Sequence, residues 1–300
     1  MGLFGNSTAA GGTRRGLKLW PILAFVVYFG YYYISHQGVT AYTGRKQLID
    51  TTPAQEAALG LQSYREILSQ SQVVSSGPVP KEIRGIATRL IAVAPKVEKY
   101  FASTQGTPDD TDWSSYHWDV SVIQSDQVNA FCLPGGKIAV YTGIIPVAKT
   151  ADGLAVVMGH EMAHALLRHG GERMAQQKLV QLGTLAAGMS MSDMDPQQQN
   201  MMMAALGAGA QYGVLLPFSR RDESEADHVG LMLAAAACFD PTEAPKLWQR
   251  MSATGGRKPA EFMSTHPADA TRIRQLQSWM PEATEVRQHF CAGQGSGGTG

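Results

Sequence analysis

The chain has 300 residues, enough to bury a substantial core as one medium domain or two small ones. Hydrophobic residues at 44% and charged residues at 17% match a folded soluble domain. Lys+Arg and Asp+Glu balance at 25 each, so no global field draws the chain to nucleic acid, and nucleic acid is not expected as a partner.

Residues 1–18 begin Gly/Ser/Thr/Ala-rich and end basic, with Arg14, Arg15 and Lys18, and read as a disordered N-terminus. Asn6 stands where a myristoylation signal needs Ser or Thr. Residues 19–35 form a membrane anchor or a signal segment. The apolar, aromatic run from Leu19 to Ile34 reaches roughly 24 Å as a helix, short of the bilayer core of about 30 Å. The preceding basic flank keeps the N-terminus cytoplasmic and sends the rest across; Tyr31, Tyr32 and Tyr33 suit the far interface. An uncleaved anchor is the preferred reading, and Val39-Thr40-Ala41 is the weak cleavage site of the alternative.

Beyond this segment the chain is mainly helical. Thr52-Pro53-Ala54-Gln55 is a capping box that opens a helix to about Gln70. Pro80 starts another, with Ile83, Ile86, Ala87, Leu90 and Ile91 on one face. Trp118, Val120 and Val122 alternate as in a half-buried strand, and short strands at Val128–Leu133 and Lys137–Tyr141 flank a Pro134-Gly135-Gly136 turn. A helix spans Asp152–His169. The Met/Ala/Gly-rich stretch 183–216 reads as a core helix, with or without a mobile lid. Helices follow at 220–237, at 241–253 (capped by Asp240) and at 267–280, and 291–300 forms a disordered tail. The cysteines, Cys132, Cys238 and Cys291, contain no CxxC pair; a Cys238–Cys291 bridge in an exported domain and three reduced thiols are both open.

The chemistry centres on His160-Glu161-Met162-Ala163-His164. Four residues apart on a helix, His160 and His164 aim two imidazoles at one ion. Glu161, about 100° round from His160, poises a carboxylate over water activated by Zn2+, the expected single cofactor. The surrounding helix is apolar, so these polar residues face a core and need a reason to be there. His169, nine residues from His160, points to the opposite face and reads as a helix C-terminal cation. A catalytic zinc takes three protein ligands. In Asp222–Asp227, Glu223 and Asp227 share a helical face while Glu225 faces away, making Glu223 the third ligand and Asp227 the acceptor for a ligand imidazole N–H. Taken alone, the same residues also fit an exposed acidic helix.

With Asn129-Ala130-Phe131 and Ser264-Thr265-His266-Pro267, these motifs resemble, in order and over roughly residues 45–280, the zinc metallopeptidases that include the CAAX prenyl proteases, HtpX-type proteases and the mitochondrial Oma-type protease. The resemblance implies an α+β, mainly helical, zincin-like fold with a small edge-stranded sheet, and a metallopeptidase domain over 45–290. It implies zinc on His160, His164 and Glu223, Glu161 as the base, Asp227 as support, and catalytic roles for His266 and Arg272. His266 would stabilise the oxyanion or occupy the open zinc position; capping the next helix is its bland alternative. Asn129, Ala130 and Phe131 would hold an extended polypeptide substrate, or Phe131 would only pack. The multi-spanning helices of the CAAX and HtpX branches are missing, so the likeness points to bacterial single-domain exported members that remove misfolded envelope proteins. A zinc-binding, chaperone-like module and a zinc hydrolase of non-peptide bonds are the alternatives.

Overall fold

The computed structural model describes residues 17–210, 216–254, 262, 266 and 270–292. The expected disordered start, the tail and most of the Thr-His-Pro element therefore fall largely outside the described residues. The chain divides into two compact units, one of residues 1–35 and 176–216, the other of 36–175 and 217–300.

In the first unit, α1 (Trp20–Ser35) follows Lys18, whose ammonium pairs with Asp193 at 2.8 Å and whose backbone N–H donates to the Ser190 carbonyl. At 16 residues α1 has the length its apolar run predicts, and no described helix is long and apolar enough to cross a membrane. Trp20, Leu23, Val27, Tyr31 and Ile34 are all exposed along it. Helix α7 (Pro196–Ala210) corrects the expectation of a core helix in the Met-rich stretch. It buries no residue, and Met201 is 68% exposed. Its small and Met positions carry no stripe to hold against a core.

The second unit begins with a two-stranded antiparallel hairpin, β1 (Gln37–Val39) and β2 (Lys46–Leu48). Helix α2 (Pro53–Ser69) starts at the predicted capping box: Thr52 accepts from Gln55 N–H and Gln55 accepts from Thr52 N–H. Helix α3 (Pro78–Gln105) starts at Pro78 rather than Pro80, because Gly77 takes φ +105° and Pro78 is already suited to the first turn. Its Ile83, Ile86, Ala87, Leu90, Val97 and Phe101 are buried. The three-stranded sheet has the order β3 (Asp119–Ile123), β5 (Lys137–Tyr141), β4 (Ala130–Leu133), with β3 parallel and β4 antiparallel to the central β5. The tight return from β4 to β5 uses Gly135 and Gly136, at φ +77° and +79°.

A short helix α4 (Ile145–Ala148) leads into α5 (Ala151–Leu166), capped by Thr150 and buried nearly all round. The single helix expected over 152–169 is in fact two. Leu166 ends α5, Arg168 takes φ +57°, and α6 (His169–Ser190) starts anew. Arg168 is held there by Glu56 (2.8 Å) and by the Thr51 carbonyl (2.6 Å), which sustains a conformation uncommon outside glycine. Then come α8 (Leu216–Ala236), α9 (Glu243–Thr254), α10 (Ala270–Ser278) and α11 (Met280–Cys291). The last of these was not predicted; only Ala283 and Val286 mark its buried face. A Cys238–Cys291 disulfide joins the ends of α8 and α11, and Cys132 is buried and free. The fold is predominantly helical with a small open sheet, which agrees with the expected α+β, zincin-like architecture.

Helices α5 and α8 meet at backbone distance. A Cβ on Gly230 would fall 2.6 Å from His160 N, and one on Gly159 2.7 Å from Gly230 O. Glu223, Asp227 and Gly230 recur at i, i+4 and i+7, so the face that lets the helices touch is the face that carries the carboxylates. Gly230→Ala is expected to push the helices apart and cost about 1–3 kcal/mol by overpacking. It should also weaken the zinc binding expected of His160, His164 and Glu223, read with the stability by denaturant unfolding and metal analysis; wild-type values for both would show the contact to be dispensable.

Candidate active site

From α5, His160 and His164 turn their Nε2 atoms toward each other at 3.1 Å. The Glu223 carboxylate on α8 lies 3.5 Å from His160 Nε2 and 3.4 Å from His164 Nε2. His266 completes the group, its Nδ1 3.2 Å from His160 Nε2 and 2.8 Å from Glu223 Oε1. Donor atoms of these four residues all lie within 4.8 Å of one another. Glu161 adds a buried carboxylate whose Oε1 has no hydrogen-bond partner among the described residues and lies 3.6 Å from His266 Nε2. Three imidazole nitrogens and a carboxylate converging on one point are a fitting donor set for zinc, and the orphaned Glu161 oxygen faces the same space.

Around these sits a second layer. Asp227 Oδ1 lies 3.1 Å from His160 Nδ1, and Arg272 grips Asp227 with two hydrogen bonds of 2.7 Å. Arg272 Nη1 also reaches Glu223 Oε2 at 3.0 Å, and its guanidinium lies 3.7 Å over the Trp248 ring. Phe262, buried on the other side, packs its ring 4.6 Å from His266 and 5.8 Å from Trp248, and its N–H donates to the Val128 carbonyl. Trp248 and Phe262 carry no sequence signal that separates them from ordinary core aromatics.

Electrostatics follow from this burial. Desolvation resists ionisation of Glu223, but His160, His164 and His266 around it hold its carboxyl far below the usual range. Burial lowers His160, yet the Asp227 and Glu223 carboxylates outweigh it and raise the imidazole to about 9. Burial dominates at His164 and His266 and lowers both. Burial likewise pushes the Glu161 carboxyl above its ordinary value.

The expectation for His169 is corrected here. Because α5 stops at Leu166, His169 swings back under the motif rather than facing away. It is 4% exposed, its Nδ1 lies 2.9 Å from His164 Nδ1, and burial lowers its pKa to about 4, so it is no helix-end cation. Glu225 points away from the His160–His164 group, as its spacing predicts, but into a second polar network. It contacts His169 (3.3 Å), Arg45 (2.5 Å) and Thr43 (2.9 Å). His169, Asp222 and Glu225 form another group with donor atoms within 4.8 Å. Of the expected substrate strand, Ala130 and Phe131 lie on β4, at the sheet edge next to α5. Asn129 precedes the strand, its side-chain oxygen accepting from Ala130 N–H. Phe131 is half-buried with its ring edge toward Tyr141.

Residues 96–280 match the family described as peptidase family M48. Over 274 residues the chain is 34% identical to the mitochondrial metalloendopeptidase OMA1 of Schizosaccharomyces pombe, spanning 90% of this chain and 74% of that protein. It is 30% identical over 283 residues to the corresponding protein of Saccharomyces cerevisiae, spanning 88% and 75%. A beta-barrel assembly-enhancing protease of Yersinia pestis is 25% identical over 241 residues, which is 78% of this chain and 45% of that protein.

Proposed function

Since the chain belongs to peptidase family M48 and is a zinc-dependent endopeptidase, we propose that it removes misfolded or unassembled proteins of a bacterial envelope, through a single zinc ion held by His160, His164 and Glu223. The observation that carries the site is the convergence of two imidazole Nε2 atoms of one helix on a carboxylate of another, with the orphaned Glu161 oxygen alongside. Zinc, when bound, supplies a Lewis acid for the scissile carbonyl and lowers the pKa of water. Glu161 takes the proton of the attacking water and delivers it to the leaving amide nitrogen. Asp227 orients His160, and Arg272 holds both Asp227 and Glu223 in place. β4, as an edge strand, offers main-chain groups to an extended polypeptide whatever its side chains, with Asn129, Ala130 and Phe131 bordering it.

His266 presents Nδ1 to the ligand group, a geometry that favours a fourth ligand over an oxyanion donor. In that role it holds the enzyme latent until substrate displaces it. His266→Ala is then expected to raise casein cleavage several-fold with zinc retained; a fall in activity would instead assign His266 to the oxyanion.

Membrane attachment through α1 is supported by its exposed apolar side chains and by the basic residues Arg14, Arg15 and Lys18 before it. The likeness to a bacterial beta-barrel assembly-enhancing protease supports a catalytic unit that works in the envelope. Full-length protein is expected to stay in the membrane pellet after alkaline extraction, and release into the supernatant would sink the anchor.

A further inference from the structure

Each imidazole ligand needs its second nitrogen accounted for. His160 Nδ1 faces Asp227, a carboxylate. His164 Nδ1 instead faces another imidazole, His169 Nδ1, at 2.9 Å. Two such nitrogens at this distance share one proton between them. A neutral imidazole whose Nε2 lone pair is given to a metal carries its proton on Nδ1, so His164 donates and His169 accepts. The His169 proton then sits on Nε2, which lies 3.3 Å from Glu225 Oε2. Glu225 is fixed in turn by Arg45 Nε and Thr43 Oγ1, and Arg45 is clamped by Glu172 through two hydrogen bonds of 2.9 and 2.7 Å. Arg45 and Thr43 come from the β1–β2 hairpin region, while Glu172 and His169 share the first turn of α6.

We propose that His169, oriented by Glu225 and Arg45, is the positioning residue that fixes the tautomer and ring orientation of the zinc ligand His164. The chain of contacts runs from the hairpin through α8 and α6 to α5, and it exists because Arg168 turns the backbone at φ +57°. A second cation site at His169, Asp222 and Glu225 has the right spacing. Its charge, however, is already supplied by the Arg45 guanidinium, 2.5 Å from Glu225 Oε2 and 3.6 Å from Asp222 Oδ1. One metal per chain is the consequence.

The inference rests on zinc at the His160, His164 and Glu223 group, and its failure is separable from the failure of that reading. Zinc affinity is measured by chelator competition on the full chain for wild type, His169→Phe and His169→Asn. Phe keeps a planar ring, slightly larger than imidazole, and loses the acceptor; Asn places an oxygen close to the former Nδ1. His169→Phe should weaken zinc binding about 10–100-fold, and His169→Asn should recover most of the loss. Wild-type affinity in His169→Phe overturns the proposal, as does an equal loss in both variants, which would reduce His169 to packing. In the wild-type zinc protein, two-bond 1H–15N spectra should show the His164 proton on Nδ1 and the His169 proton on Nε2. The reverse pattern overturns the proposal even if the variants do not fold. Two zinc ions per chain would overturn the assignment of Arg45, whereas a wild type that binds none would sink the zinc site itself.

Discussion

Glu161→Gln is expected to lower kcat for casein by about 10²–10⁴-fold, the usual contribution of a positioned base, while zinc content and thermal stability stay at wild-type levels. Glutamine preserves the volume of a side chain that is only 4% exposed, so the loss cannot come from a cavity. It removes the one property that matters, a carboxylate able to take and return a proton. The residue lies beside, not among, the converging ligand atoms, which is why metal binding should survive. The same variant separates the rival functions. A chaperone-like module would suppress aggregation of unfolded clients equally well in the Glu161→Gln variant and in wild type. Unchanged proteolysis in the variant would end the peptidase assignment of this residue. Zinc-loaded wild type that leaves casein and unfolded envelope proteins untouched would favour a non-peptide bond.

Arg272→Met is expected to cost about 3–5 kcal/mol in the metal-free protein, because it takes the guanidinium away from the buried carboxylates of Asp227 and Glu223 and leaves only the neighbouring imidazoles to pair with them. Both lie below a tenth exposure, and Arg272 makes three contacts of 3.0 Å or less with them. Zinc offsets part of this cost by neutralising Glu223, so the deficit should shrink when metal is added. Arg272→Lys keeps the charge but not the planar fork that spans two carboxylates and stacks on Trp248, and should recover only part of the loss. Urea unfolding with and without chelator reads both effects. A deficit under about 1 kcal/mol would show that the pairing does not hold the site together.

Much of this was legible because it is local. The capping box at Thr52, the Pro134-Gly135-Gly136 return and the i, i+4 spacing of His160 with His164 and of Glu223 with Asp227 need only backbone geometry to read. Boundaries that depend on distant partners were not legible. The end of α5 is invisible in Leu166-Leu167-Arg168-His169, since the positive φ at Arg168 is sustained by Glu56 and Thr51, more than a hundred residues earlier. One misplaced helix end then put His169 on the wrong face. The Met-rich α7 failed for another reason: apolar composition without a stripe specifies helix but not burial.

By itself, then, the sequence determined the reactive groups and their pairwise spacing on single helices, because helical periodicity converts residue number directly into direction. Only the tertiary structure decided how these helices meet. The contact of Gly159 with Gly230, the reach of Arg272 to Asp227 and the pairing of Arg45 with Glu225 join residues 45 to 180 positions apart. Through Glu225 the last of these extends to His169 and so to His164. Such contacts are set by packing and by pairing of buried charges, and neither leaves a period in the chain.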